Sequence, residues 1–235
     1  LKKNLNKIEL YSSNINIIAI KNLKEIPDFL DFCIVATPST SRLSTILEIK
    51  SSIRFLLLEK ILTSSRKELE IFSKQNKNYE SVFVNMPYYY QDIFRIMKKE
   101  INKKKEIIFR GNDFGIACNL VHFLQISERL LGKTITNFSQ SSKKIKWIDS
   151  KRLGFYDLLG EIKLTLPTGE IIKFLDEKIN KPGLIITLKD NNDCIEYEWE
   201  TGEIIKNDRL LGTKTIPYQS TRTLGILYDL IDGKE

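Results

Sequence analysis

The chain is poor in the residues that build metal sites and thiol chemistry. Its one histidine, His122, excludes any site built on a pair of imidazoles. Three cysteines, Cys33, Cys118 and Cys194, lie far apart with no CxxC spacing. That argues against a zinc site or a disulfide framework and for buried thiols in a reducing cytoplasm. No apolar run approaches the ~20 residues that a bilayer-spanning helix needs, and no signal-peptide pattern opens the chain. These absences predict a cytoplasmic protein with no membrane partner. Phosphate-binding loops of the GxGxxG or GxxxxGKS form are missing too: "GNDFG" (111–115) is glycine-flanked but fits neither.

What is present is an ordinary globular composition. With 235 residues, 42% apolar and 29% charged, the chain is long enough for one large domain or two modest ones. The formal charge of +7 raises the question of a nucleic-acid partner. The lysines, however, are interleaved with glutamates and aspartates along the whole chain. The densest cluster, "KKEINKKKE" (98–106), reads as the solvated end of a helix. Charge of this kind is generic surface charge, and no nucleic-acid partner is predicted.

The first half alternates between two textures. "KIELYSS" (7–13), "DFCIVATP" (31–38), "RFLLLEK" (54–60) and "SVFVNMP" (81–87) are short apolar strands. Between them, "STSRLSTILEIKSS" (39–52), "SSRKELEIFSKQNK" (64–77) and "YYYQDIFRIMKKEINKK" (88–104) have helical spacing. Ser65 with Glu68 forms a capping-box pattern at the start of the second helix. Continuous apolar strands alternating with helices predict a parallel sheet covered on both faces. "KEIIFRG" (105–111) is a further strand. "GIACNLVHFLQISERLLG" (115–132) is a largely apolar helix ending at a glycine. From residue 143 the texture changes to "KKIKWIDSK", "GEIKLTLPTG", "EIIKFLDEK", "GLIITLKDNN" and "CIEYEWETGEII". These are alternating strands joined by Gly, Asn and Asp turns, which predicts an open antiparallel sheet. "TRTLGILYDLIDG" (221–233) closes the chain as an amphipathic helix. The fold class expected is α/β: an incomplete parallel sheet in residues 1–108, then an α+β domain in residues 109–235.

Ligands bind parallel α/β sheets at the carboxyl ends of the strands. Three strand ends here carry polar or turn-forming residues: "ATPSTSR" (36–42), "EK" (59–60) and "VNMP" (84–87). Burial of Phe55 to Leu58 would set Glu59 and Lys60 at that edge. A lysine beside a glutamate near low-dielectric strand ends suits proton transfer. The plainer reading is that the pair are the first solvated residues after a strand.

The order of these segments resembles the Gfo/Idh/MocA family of nicotinamide-dependent sugar and polyol oxidoreductases. The resemblance rests on "VATPSTSR", then "LLEKIL" one helix later, then the histidine-bearing helix "GNDFGIACNLVHFLQI" and the antiparallel region. It implies a partial Rossmann-like dinucleotide-binding domain over 1–108 and a substrate-binding domain over 109–235. It further implies hydride transfer to or from the nicotinamide of NAD or NADP. Lys60, helped by His122, would move the hydroxyl proton of a sugar, amino sugar or sugar nucleotide, with surface-polysaccharide biosynthesis as a setting. The backbone at Ala36, Thr37 and Pro38 would lie against the cofactor with Glu59 and Lys60 close by. Asn85, Asn119 and His122 would face the substrate. A homodimer through the antiparallel sheet is also implied, and Tyr197 and Trp199 in "EYEWE" share one strand face that could serve it.

Several features depart from the family's pattern. The proline after "EK" is Ile61. Two carboxylates that family members often place around the histidine are Cys118 and Gln125. The glycine loop and first strand of a dinucleotide fold are missing, so an N-terminally truncated member is expected, one that binds no cofactor tightly as it stands. These departures favour an alternative, a non-catalytic remnant or scaffold of the same fold. Plainer roles stay open for single residues as well: a core position for His122, strand-to-helix capping for Asn85 and Tyr88, and a solvated first-turn position for Arg42.

Overall fold

The computed structural model describes residues 18, 20–101, 106–150, 153–177, 183–216 and 226. The chain divides into two compact units, residues 1–84 and 85–235. The expected strand at 7–13 lies outside the described residues. So does the expected C-terminal helix, except for Ile226, which is helical and buried.

In the first unit, β1 (Phe29–Val35), β2 (Ser52–Glu59) and β3 (Ser81–Asn85) form a sheet in the order β1-β2-β3. β1 and β2 are parallel, with Ile34 opposite Leu57 and Val35 opposite Leu58. Phe55, Leu56, Leu57 and Leu58 are all at most 2% exposed. The apolar run is buried on both faces, as its lack of alternation implies. Leu56 and Leu58 pack with Val35, with Leu43 and Ile46 of α1 (Ser39–Glu48), and with Phe72 of α2 (Arg66–Gln75). At the start of α2, the Ser65 hydroxyl accepts from the Glu68 amide at 3.2 Å. The Glu68 carboxylate reaches back to the Ser64 amide (2.8 Å) and hydroxyl (2.6 Å), one residue earlier than the usual reciprocal bond.

The second unit is built on an eight-stranded sheet in the order β11-β10-β9-β8-β4-β7-β6-β5. Its strands are β4 (Glu106–Asn112), β5 (Ser139–Asp149), β6 (Tyr156–Thr165), β7 (Ile171–Asp176), β8 (Gly183–Lys189), β9 (Cys194–Glu198), β10 (Glu203–Lys206) and β11 (Arg209–Thr213). Every neighbouring pair is antiparallel except β4 with β7. Alternation of half-buried and buried residues over 161–165 at the end of β6 and throughout β9 matches the pattern expected of them. Among the described residues the helices α3 (Asp92–Glu100) and α4 (Ile116–Leu131) accompany this sheet. α4 buries Ile116, His122, Phe123, Ile126, Ser127 and Leu130, a mostly apolar stripe at helical spacing. The rings of Phe109, Phe123 and Phe174 join β4, α4 and β7, with Phe109 4.7 Å from Phe123 and 5.4 Å from Phe174. Burial of each such ring contributes roughly 1.5–3 kcal/mol.

Some expectations need correction. "KEIIFRG" does not extend the first sheet; as β4 it sits at the centre of the second, because Ile107, Ile108 and Phe109 are buried on both faces. The helix expected over 88–104 is a 3-10 turn (Pro87–Tyr90) followed by α3, since Gln91 is extended and interrupts it. Tyr197 and Trp199 do not face outward for a dimer. Tyr197 is fully buried, its hydroxyl donating to the Lys214 carbonyl at 3.1 Å, and Trp199 packs against the same core. The thiols are not buried as a set either: Cys118 is exposed, and Cys33 and Cys194 are half-buried.

Candidate functional site

The parallel register of β1 and β2 creates one shared edge. Val35 lies opposite Leu58, so Ala36, Thr37 and Pro38 leave the sheet beside Glu59 and Lys60. The five residues expected to meet a cofactor are thus brought to one end of two adjacent strands. Glu59 and Lys60 are half-buried, and the Lys60–Ile61 peptide bond is cis.

Arg42 organises this edge. It is 2% exposed, and its guanidinium donates to the carbonyls of Thr37, Ile61 and, at 3.2 Å, Leu62. The solvated first-turn role is therefore wrong. Two strand-end loops present three carbonyls to the first turn of α1, and only the forked guanidinium can serve all of them. Burial pulls the Arg42 guanidinium below its ordinary value, and the Glu59 carboxylate acts in the opposite sense. The loop after β1 and the backbone just beyond Lys60 are thereby tied to one side chain.

The fit of a nicotinamide dinucleotide to these residues is uneven. The Thr37 hydroxyl is buried with no hydrogen-bond partner within the described structure. An orphan hydroxyl at the carboxyl edge of a parallel sheet suits the amide-bearing end of such a cofactor. The pyrophosphate needs backbone amides from a glycine-rich turn at a helix N-terminus, and the sequence holds no such turn. The nicotinamide end fits; the phosphate end does not.

In the second unit the site is built around the start of α4. β4 ends at Asn112, and Asp113 to Gly115 turn the chain into the helix. The N-cap is Gly115 at φ +75°, which brings no side chain to the exposed amides. Two strands supply the caps instead. Asp176 of β7 accepts from the amides of Asp113 (2.7 Å) and Gly115 (3.3 Å). Asp157 of β6 accepts from the amides of Ala117 and Leu158, each at 2.8 Å. Both carboxylates are buried and sit at the positive end of the helix. Burial pushes the Asp176 carboxyl up from its ordinary value; the two amides pull it down, while Asp113 and Asp157 push it further up.

Beside this first turn lies a cavity of about 410 Å³. Asn112, Asp113, Asn119 and Glu200 give it polar walls, and Tyr88, Trp199, Phe114 and Phe123 give it aromatic ones. The Tyr88 ring meets Trp199 edge-on at 5.1 Å and His122 edge-on at 4.7 Å. The Asn119 amide nitrogen donates to the Phe114 carbonyl at 2.7 Å. Carboxylates, amides and ring faces around a volume of this size suit a small polyhydroxylated molecule. Among the described residues no cluster of His, Cys, Asp and Glu could hold a metal ion, and no helix is long and apolar enough to cross a membrane.

Of the residues expected to meet substrate, Asn119 lines this cavity. His122, only 2% exposed, reaches Tyr88 rather than the cavity itself. Asn85 ends β3, half-buried, and is not among the lining residues. The residues that the sequence reading missed are Asp113, Glu200 and Arg42. Asp113 stood inside "GNDFG", weighed only as a phosphate loop, and Glu200 inside "ETGE", weighed only as a turn.

The fold is similar to that of several solved dehydrogenase and reductase structures. Among solved structures, a super-repressor mutant of Gal80p from Saccharomyces cerevisiae matches with a TM-score of 0.66 at 13% identity, over 97% of this chain and 72% of that one. Biliverdin reductase from Synechocystis, in complex with biliverdin and NADP+, matches at 0.60 and 14% identity over 88% and 72%. The UDP-N-acetylglucosamine 3-dehydrogenase GnnA from Acidithiobacillus ferrooxidans matches at 0.61 and 10% identity over 91% and 72%. No protein-family model and no curated protein matches the sequence. At these identities the likeness is one of fold.

Proposed function

We propose that the protein is an NAD- or NADP-dependent oxidoreductase of a sugar, amino sugar or sugar nucleotide, with a place in surface-polysaccharide biosynthesis. The observation that carries this reading is the register of β1 and β2, which sets Ala36, Thr37 and Pro38 beside Glu59 and Lys60 at the carboxyl edge of the sheet. The NADP+ in the biliverdin reductase structure and the sugar nucleotide named for GnnA support it. The first unit would serve the cofactor and the second the substrate. The nicotinamide, when bound, supplies hydride transfer. Lys60 exchanges a proton with the substrate hydroxyl. Arg42 holds the backbone beside Lys60 in place. Asn119, which lines the cavity, hydrogen-bonds the substrate. A homodimer through the large sheet belongs to this reading and would use the face opposite Tyr197.

The test is Lys60→Ala in the encoded protein, with cofactor affinity and turnover measured separately. Turnover should fall by about 100- to 10,000-fold, the usual worth of a general acid–base group, while cofactor affinity changes little. Lys60→Arg should be nearly as damaging, because a guanidinium stays protonated near neutrality. Turnover retained in both variants would remove Lys60 from the chemistry.

A second reading, a non-catalytic scaffold, is favoured by the burial of His122 and by Cys118 and Gln125 where carboxylates were expected. The match to a super-repressor mutant supports it too. Carbohydrate binding with no turnover by either nicotinamide cofactor would select it.

A further inference from the structure

We infer that the hairpin of β5 and β6 docks the protein onto an anionic phospholipid surface. β5 is last in the order of the large sheet, and nearly all of its residues are exposed. A strand in that place needs no large apolar side chains. The hairpin nonetheless carries several in the open: Leu153 is 99% exposed, Tyr156 66%, Trp147 65%, Phe155 41% and Ile145 37%. The Ser150 amide donates to the Phe155 carbonyl at 2.9 Å, which closes the turn. Gly154, at φ +80°, has nothing within 4 Å of a Cβ placed on it, so the tip stands clear of the sheet. In the strand register Trp147 lies opposite Leu158 and Asp149 opposite Tyr156. Trp147 and Tyr156 are therefore diagonal neighbours on one face.

The charge of the same strand selects the partner. Lys143, Lys144 and Lys146 are exposed, and the latter two fall within about 10 Å of Trp147 at the usual rise of a strand. Against them stands the exposed Asp149, while Asp157 is buried on the amides of Ala117 and Leu158. Residues 151 and 152, outside the described set, are Lys and Arg by sequence and add no acidic group. Lysines on an edge strand also keep it from pairing with other strands, but that leaves the open Trp, Tyr, Phe and Leu without a use. A lipid interface uses all of them. Aromatic rings settle at headgroup level, an aliphatic tip enters the acyl boundary, and ammonium groups meet anionic headgroups. A second copy docked by the same surface would set lysines against lysines. A nucleic-acid strand would use the rings but neither Leu153 nor Ile145. The expectation of no membrane partner rested on the lack of a spanning run, which a surface contact does not need. Such docking holds whether or not the protein is an oxidoreductase.

The test is co-sedimentation of the whole chain with vesicles, either of phosphatidylcholine alone or of phosphatidylcholine mixed with phosphatidylglycerol. The mixture should bind at least ~10-fold more tightly, and less so at high salt. Replacing Lys143, Lys144 and Lys146 together by Gln should weaken that binding by at least ~20-fold. Leu153→Glu should weaken it by about 10-fold or more; at 99% exposure the Leu153 side chain supports no part of the fold, so a loss there is a loss of docking. Lipids brominated along their acyl chains should quench Trp147 and spare Trp199, whose emission is read alone in Trp147→Phe. Equal binding to the two kinds of vesicle, binding to neither, or binding kept in both variants would overturn the inference. So would a dimer that Leu153→Glu dissociates, which assigns the hairpin to a second copy. Retention on a single-stranded oligonucleotide that Trp147→Ala abolishes would overturn it as well, in favour of nucleic acid.

Discussion

Replacing Gly115 by alanine tests how the start of α4 is held. Gly115 sits at φ +75°, and a Cβ there would lie 2.7 Å from Oδ2 of Asp157. Two costs follow. The left-handed backbone alone costs an L-residue about 1–2 kcal/mol. The contact adds more, because the Asp157 carboxylate is held by the amides of Ala117 and Leu158 at 2.8 Å and is 7% exposed. Moving it aside weakens a charge-assisted bond worth roughly 1.5–3 kcal/mol. Alanine also lowers the entropy of the unfolded chain, which returns about 0.4–1 kcal/mol. The net expectation is a loss of about 2–4 kcal/mol. Gly169 is the control: its φ is +93°, and nothing lies within 4 Å of a Cβ placed there. Gly169→Ala therefore carries the backbone cost without the collision. Both tryptophans, Trp147 and Trp199, belong to the second unit, so urea unfolding followed by their fluorescence reports on it. With slopes of about 1–3 kcal/mol/M, the Gly115→Ala midpoint should fall by roughly 1–2 M, and clearly further than that of Gly169→Ala. Equal midpoints for the two variants would refute the role given to Asp157 as a fixed cap.

Other outcomes follow from the same geometry. Arg42→Met should leave the carbonyls of Thr37, Ile61 and Leu62 without their donor, at about 1–3 kcal/mol for each that stays buried. Hydrogen exchange in β1 and β2 should then speed up by at least about 100-fold, and unchanged protection would show that Arg42 holds nothing there. Glu106 and Asp176 should respond to pH in opposite senses. Burial raises Glu106, but hydrogen bonds and charge from Lys173 (2.5 Å) and Lys189 (2.8 Å) outweigh it and hold the carboxyl below its ordinary value. Its contribution is thus present above the unfolded-state value and lost as pH falls through the folded one. Asp176 is raised by burial, so its contribution is full at low pH and declines as pH rises through its folded value. The stability gap between wild type and Glu106→Gln should therefore widen from pH 3 to pH 7, and that for Asp176→Asn should narrow; parallel trends in urea midpoints would contradict these assignments.

Elements whose pattern is set locally were legible in the sequence. The run Phe55 to Leu58 could only be a strand buried on both faces, and the alternation in "EIKLTL" and "IEYEWE" marked one-sided strands. β11 escaped because its turn is the pair Asn207 and Asp208, both at positive φ, and because the strand after it spans only Arg209–Thr213. Where a strand ends up in the sheet was not legible. "KEIIFRG" has the apolar run of any central strand, and nothing local says which sheet will receive it. Arg42 was misread for a related reason: an arginine in a first helical turn is normally solvated, and its three carbonyl partners converge only once β1 and β2 have paired. Of the candidate site, the strand-end set was legible as a motif. The cavity was not, since Asp113, Tyr88 and Trp199 come from segments more than 20 residues apart.

The position of β4 bears on how this protein is made. β4 is complete at Asn112, yet its two partners are β7, which begins at Ile171, and β8, which ends at Lys189. A nascent chain leaving the ribosome carries the apolar face of β4 and most of α4 through dozens of residues of synthesis before either neighbour exists. Long-range pairings of this kind close slowly, and the waiting segment exposes unpaired edges and apolar surface. Chains arrested between residues 131 and 170 should therefore engage general chaperones through β4 and α4, and release should come only after Lys189 has cleared the exit tunnel.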